Sequence, residues 1–363
     1  MHDGWCCATI GASKGVTVEK IGITAQVPIE VLIAAGYWPV DLGNVFLADD
    51  DPGRFVQRAE EDGFPIRSCA RTKGIYGVCL ELGLKTVIGV EGNCASNTLL
   101  LPMLKSQGVR VLSFAYPDQA NQLLVQKKLE DLAEQLGTTL HRAESVREEL
   151  SEARGLALQI DDLTWSEGLV NGWENHKSLL DTSDFSGSHI RYCDEARQLL
   201  QMVSQRRPYS GDCVRLAYVG APALFAWDLY HFLESEGAHV VFNETQRQRA
   251  IPNPGQSLAE QYASLTRPYL ISHRLRDITA ELKARRVDGI IHYNQAFCGR
   301  ELPAMLLRRT AGMPAITLDG NDEYGLGKRA KVRLRHFLEV VRRLRDSERK
   351  ISDFLRSERR VER

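Results

Sequence analysis

A chain of 363 residues with 46 Lys and Arg against 47 Asp and Glu carries a formal charge of −1, so no bulk field draws it to nucleic acid or an anionic membrane, and small molecules and proteins are the expected partners. No apolar run approaches the roughly 20 residues of a membrane span, and the N-terminus lacks the basic and apolar regions of a signal peptide, which points to the cytoplasm. Eight cysteines without regular close spacing do not make a disulfide framework; in a reducing compartment they are thiols or ligands.

Short apolar runs alternate with longer helical patterns, the signature of parallel sheets with crossover helices. In the first stretch, 28–36 reads as a helix, 38–43 as a strand, 85–90 as a buried strand, 99–108 as a helix closed by Gly108, and 109–117 as the next strand. In the second, a strand over 214–220 leads to a helix over 223–237, a strand over 239–245, a helix over 271–286, a strand over 287–293 and a last strand over 314–320. Both stretches read as open α/β sheets of the flavodoxin type. The expected architecture is therefore two parallel-sheet lobes linked by a helical segment. Its parts are an N-terminal lobe over 1–126, a charged helical bridge over 127–207, a C-terminal lobe over 208–340 and a charged helical tail over 341–363.

This frame gives three cysteines their meaning. Cys94 and Cys298 each follow the end of a parallel strand, where open α/β sheets bind ligands. Cys69 stands between Arg67 and Arg71 just before a helix, where positive charge and helix amides favour a thiolate. Each has small or polar neighbours that let backbone amides approach an inorganic cluster. Three thiolates from distant stretches suggest a metal or cluster site; the competing reading is that each is a small buried hydrophobe. Cys79, Cys193 and Cys213 suit that second reading, and the adjacent Cys6 and Cys7 are poorly placed to share one closed site. His292, on an otherwise apolar strand, reads as a core histidine. Arg71 and Asn93 are candidates to hydrogen-bond a cluster or substrate, or are simply solvated or capping. Gly220 either opens a helix N-terminus to phosphate or makes a turn.

The segment from Lys20 to Gly43 resembles the opening of the 2-hydroxyacyl-CoA dehydratase family, which includes D-component-like subunits of 2-hydroxyglutaryl-CoA dehydratase and relatives of benzoyl-CoA reductase. The run SCARTKGIYGVCLELGLKTVIGVEGNCASNTLLLPMLKSQGVRVLSFAYP is similar to that family's first cysteine, helix, strand and second cysteine. RLAYVGAPAL and GAHVVFNE resemble its later strands, VDGIIHYNQAFCGRE its third cysteine segment, and LGKRAKVRLRHFLEVV its closing helix. The run VVFNETQRQRA departs from the glycine-rich, cysteine-bearing pattern of many members, as do Val332 and His336 from common family residues.

The resemblance implies a 4Fe-4S cluster in the cleft between the lobes, held by Cys69, Cys94 and Cys298, with one iron site open. It implies an ATP-dependent iron-sulfur activase that injects a low-potential electron, a sibling dehydratase subunit or a second copy of the chain, and an acyl-CoA substrate. The activity implied is that of a lyase in which one-electron reduction of the thioester carbonyl gives a ketyl radical, from which a β-proton and the hydroxyl are lost. Glu30 matches a family acidic position near the cleft and is a candidate for proton transfer or loop orientation, against its plainer reading as a first-turn helix acid. Two alternatives stand beside this: an ATP-dependent reductase of another small molecule, including a relative with a double-cubane cluster that needs more than three thiolates, or a non-catalytic iron-sulfur electron-transfer protein.

Overall fold

The computed structural model describes residues 19–92, 97–298, 302–321 and 323–361, with backbone alone at 97–98, 348–349 and 351–361. The first half runs β1 (Glu19–Ile23), α1 (Ile29–Ala34), β2 (Tyr37–Asp41), α2 (Leu42–Ala48), α3 (Gly53–Glu61), α4 (Ala70–Glu81), β3 (Thr86–Glu91), α5 (Asn97–Ser106) and β4 (Arg110–Ala115). Its strands pair in parallel in the order β2-β1-β3-β4. Four helices follow: α6 (Gln122–Gln135), α7 (Leu140–Trp165), α8 (Gly172–Asp181) and α9 (His189–Val203). The second half runs β5 (Val214–Val219), α10 (Ala226–Ser235), β6 (Ala238–Asn243), α11 (Glu244–Arg249), α12 (Leu258–Ser264), α13 (Ile271–Ala284), β7 (Gly289–Gln295), α14 (Ala304–Ala311), β8 (Ala315–Gly320) and α15 (Lys328–Val361). Its strands repeat the same plan, parallel in the order β6-β5-β7-β8. The expectation of two flavodoxin-like parallel sheets thus holds. In each, the chain steps outward once and then crosses back over the first strand, and that reversal opens a crevice at the carboxyl ends of the central strands.

The strand assignments follow from two-sided burial. All six residues of β6 are buried, as are the first five of β3, because helices cover both faces of a parallel sheet and no face is left for water. At the edge, β4 alternates instead, with Leu112 and Phe114 buried and Arg110 and Ser113 exposed. Helix α7 buries Ala143, Val146, Leu150, Ala153, Ala157 and Ile160, the three-and-four spacing of one helical face. Thr139 caps it by accepting from the Arg142 amide at 3.3 Å. That face shares a core with Ile21 and Ile88 of the first sheet, and with Leu258 and Tyr262 of α12. The helical bridge is therefore packed structure that reaches both halves.

A buried ion pair fixes the same helix to the second half. Arg285, 2 % exposed by its side chain, donates to Asp161 of α7 at 2.9 and 2.5 Å and to the Val241 carbonyl of β6 at 2.8 Å. Helix α15 packs Leu334, Phe337, Leu338 and Val341 into the second sheet's core and continues unbroken to Val361. No helix among the described residues is long and apolar enough to cross a membrane.

Candidate active site

The ends of strands from both sheets, with α4, α5 and α11, line a partly open cavity of about 120 Å³. Thr24, Ala25 and Gln26 enter from the end of β1, Ala221 and Pro222 from β5, Thr245 and Arg249 from α11, and Gln295 and Cys298 from β7. Cys69 and Arg71 come from the start of α4. Two of the three cysteines singled out in the sequence, 229 residues apart in the chain, thus line one chamber. The third, Cys94, lies outside the described residues, as do Cys6, Cys7 and Asn93; the chain leaves β3 just before Cys94, and Leu100 of α5 returns it to the cavity wall. Among the described residues no three His, Cys, Asp or Glu side chains are grouped closely enough to hold a metal ion.

The two cysteine-bearing loops are tied to each other by a side-chain clamp. Asn321, just past β8, accepts at Oδ1 from the Ala70 amide at 2.9 Å and from Gln295 Nε2 at 3.1 Å, and donates from Nδ2 to the Ser68 carbonyl at 3.3 Å. Gln295 is itself held by the Tyr293 hydroxyl at 3.1 Å, and its carbonyl accepts from the Cys298 amide at 3.2 Å. Residues flanking Cys69 are therefore positioned by the turn that carries Cys298. That turn includes Phe297 at φ +63°, a left-handed conformation costing a non-glycine residue on the order of 1 kcal/mol or more. Neither Gln295 nor Asn321 was singled out in the sequence, since their partners are remote in the chain.

The wall opposite is basic. Arg249 donates to Asp41 at 3.1 Å, and Arg267 donates to the Thr245 hydroxyl at 2.8 Å. Thr245 in turn donates to Glu244 at 2.9 Å, and Arg274 holds the same carboxylate at 2.7 and 2.8 Å. Burial by itself would raise the Glu244 carboxyl, but Arg274, and then Arg267 and Thr245, outweigh it and hold it at about 2. The stabilisation this implies, about 3 kcal/mol, is present above the ordinary value of 4.5 and is lost as pH falls toward 2. The stability advantage of the wild type over Glu244→Gln, measured by urea unfolding, is therefore expected to shrink between about pH 5 and about pH 3. An advantage that stayed constant over that interval would contradict the assignment.

The remaining candidates have other surroundings. Glu30 is fully buried, forms an ion pair with Arg154, and accepts from the Tyr262 hydroxyl at 2.8 Å. It is absent from the cavity lining, although its neighbours Arg154 and Tyr262 line a smaller adjoining space with Gln26 and Arg249. Burial lowers His292 to about 4, and its Nδ1 meets the Thr317 hydroxyl at 3.3 Å, so it is a neutral core group. Cys79 and Cys193 are buried on α4 and α9, and burial pushes the Cys79 thiol up to about 12. Cys213 bonds the Gly237 carbonyl at 3.4 Å. None of these three lines the cavity. Gly220 follows the end of β5, six residues before α10 begins, and its amide donates to Glu244 at 3.2 Å.

No curated protein sequence matches the chain. Among solved structures, a periplasmic heme-binding protein, BhuT, in complex with two hemes aligns at 14% identity and a TM-score of 0.23, over 89% of this chain and 99% of that one. A mutant of the laminin-binding adhesin Lmb from Streptococcus agalactiae aligns at 14% identity and a TM-score of 0.20, over 90% and 99%. Scores this low bear on neither fold nor chemistry. The profile of the family described as 2-hydroxyglutaryl-CoA dehydratase, D-component, matches residues 24–341. That interval runs from the end of β1 into α15 and includes every segment that builds the cavity, and the chain belongs to this dehydratase family.

Proposed function

We propose that the protein is the iron-sulfur subunit of a 2-hydroxyacyl-CoA dehydratase-like enzyme, with Cys69, Cys94 and Cys298 holding a 4Fe-4S cluster in the cavity between the two sheets. The observation that carries this reading is the meeting of Cys69 and Cys298 in one arginine-lined, partly open cavity. The donor set suits the group: thiolates are the ligands such clusters take, and three thiolates bring negative charge into a wall that carries Arg71, Arg249 and Arg267. Bound there, the cluster supplies a low-potential electron and an open iron that polarises a thioester carbonyl.

The chain's own contribution is placement and exclusion of water. Asn321 and Gln295 fix the spacing of the Cys69 and Cys298 loops, and the Cys69 side of the cavity is nearly closed, with that residue 6 % exposed. Glu30, paired with Arg154 and Tyr262, is proposed to orient the segment from Val27 into α1; its carboxylate is already committed as an acceptor. The partners proposed are an ATP-dependent activase and a sibling subunit or second copy. A double-cubane reductase is less well supported, because Cys79, Cys193 and Cys213 stand away from the cavity.

Anaerobic isolation with iron and sulfide analysis tests the proposal. About four irons and four sulfides per chain are expected, with dehydration of a 2-hydroxyacyl-CoA that requires the cognate activase, ATP and exclusion of oxygen. Stoichiometric zinc without sulfide, or steady turnover in air without nucleotide, would overturn it.

A further inference from the structure

Where β2 ends, three parts of the molecule meet around one buried carboxylate. Asp184, in the turn after α8, is 7 % exposed. Its Oδ2 accepts from the Asp41 amide of β2 at 2.7 Å and its Oδ1 from the Ser186 amide at 2.9 Å. The Asp41 carboxylate, itself buried, accepts from the Gly43 and Asn44 amides at 2.9 and 3.2 Å and from Arg249 of α11 at 3.1 Å. Asn44 adds a second tie to the bridge, donating to the Leu180 carbonyl at 3.0 Å and the Ser183 hydroxyl at 2.8 Å. The first sheet, the helical bridge and the second half are thus joined at this point. The turn itself is under strain. Phe185, Ser186 and Gly187 stand at φ +51°, +46° and +89°, a left-handed run that persists only where its surroundings impose it. Here they are the Asp184 bond to the Ser186 amide, the packing of Phe185 against Tyr192 with ring centroids 5.4 Å apart, and Arg191, which donates to the Ser186 carbonyl.

The charges around Asp184 do not balance. Asp41 of β2 is paired with Arg249 of α11. On α8, Asp181 is paired with Lys177 at 2.5 Å. On α9, Arg191 is paired with Glu195 at 3.7 Å, and His189 lies 3.2 Å from Glu149. Arg71 of α4 lies against Gly43. Among the described residues no cation pairs with Asp184 itself. A carboxyl taken out of water beside a second carboxylate, with no cation of its own, keeps its proton into the neutral range. Burial first, and then Asp41, raise it from 3.8 to about 7, against the opposing pull of the two amides.

We infer that Asp184 is a proton-operated latch: with its proton it holds the strained turn closed on the end of β2, and on ionising it releases that turn and loosens the junction through which Asp41 and Arg249 tie the first sheet to α11. The latch is independent of what the cavity binds. Its sign follows from the tighter hold on the proton in the closed junction than in a solvated carboxyl. Closure is fully favoured below about pH 4, and that advantage is lost as pH rises through about 7.

Hydrogen exchange of the anaerobically isolated protein tests the latch, read by mass spectrometry on peptides containing the Asp41 and Ser186 amides and corrected for the intrinsic exchange rate. In the wild type the opening constant is expected to rise roughly tenfold per pH unit from about pH 5 to about pH 6.5 and to level off above about pH 7. Asp184→Asn, which cannot ionise, should remove that rise, and Asp184→Ser serves the same purpose if the first variant does not fold. Asp41→Asn, which takes away the neighbouring charge, should bring the levelling-off to lower pH. A wild-type profile flat over this interval, or an equal rise in the Asp184 variants with the fold verified by circular dichroism, would overturn the inference. An unmoved profile in Asp41→Asn would overturn the part given to Asp41.

Discussion

Replacing Cys69 or Cys298 by Ala is expected to strip most of the iron and sulfide from the anaerobically isolated protein, and Cys94→Ala is expected to do the same. The reason is coordination rather than folding. A cubane held by three thiolates keeps too few ligands once one is lost, and even indirect disturbance of a metal ligand costs about 10- to 100-fold in affinity. Cys193→Ala and Cys79→Ala supply the contrast: both side chains are buried away from the cavity, so these variants should keep the cluster while losing a fraction to about 2 kcal/mol of stability through lost packing. The measurement is iron, acid-labile sulfide and the visible absorption spectrum of each variant. Full metal content with an unchanged spectrum in Cys69→Ala would show that the ligand assignment is wrong.

A second large effect is expected from Gly220→Ala. The glycine has φ +118°, and a Cβ on it would stand 2.2 Å from the Tyr293 carbonyl oxygen. That oxygen belongs to the backbone of β7, paired with β5 through Val219 and His292, so it cannot yield without parting two central strands. A loss of about 3 kcal/mol or more is expected from the combined strain and overlap, read as a fall in the urea midpoint with little change in slope. Because β7 leads into the Cys298 turn, reduced cluster content should accompany it. A variant as stable as the wild type would mean that the strands separate there at little cost.

Much of this architecture was legible in the sequence because parallel strands buried on both faces leave continuous apolar runs. The segments at 85–90, 214–220 and 287–293 carry that signal, and β3, β5 and β7 form there. The short leading strand β1 was not picked out as a strand, since Glu19 and Lys20 are exposed and only Ile21, Gly22 and Ile23 are buried. Helix α11 was missed for a different reason. Its sequence, ETQRQR, looks like an exposed polar turn, yet Glu244, Thr245, Gln246 and Gln248 are buried. Their burial is tolerable only because remote groups answer them: Arg274 and Gly220 for Glu244, and the Thr266 amide for Gln248.

The candidate site divides along the same line. Cys69, Cys94 and Cys298 could be nominated from strand ends, a helix start and family likeness, all of which are local patterns. The Asn321 clamp depends on a contact across 251 residues of chain, and no local pattern encodes it. Glu30 illustrates the converse. An acid in the first turn of a helix is readable, but its pairing with Arg154 and Tyr262 comes from helices α7 and α12, which reach it only in the folded protein.

The repeated strand order has a consequence for how such a protein can change over evolutionary time. Cys94 is the third residue after the end of β3, and Cys298 the third after the end of β7, so the two halves place a cysteine at the same step of the same plan. The excursions between the second and third strands are where the halves diverge: the first carries Cys69 and Arg71, the second Thr245, Arg249 and Arg267. Descent from a doubled ancestral unit would account for the matched pair, with the two excursions then free to drift apart. Under that history the strand-end cysteines are the inherited part of the chamber, and new substrate preferences arise by editing the excursions while the sheets stay as they are.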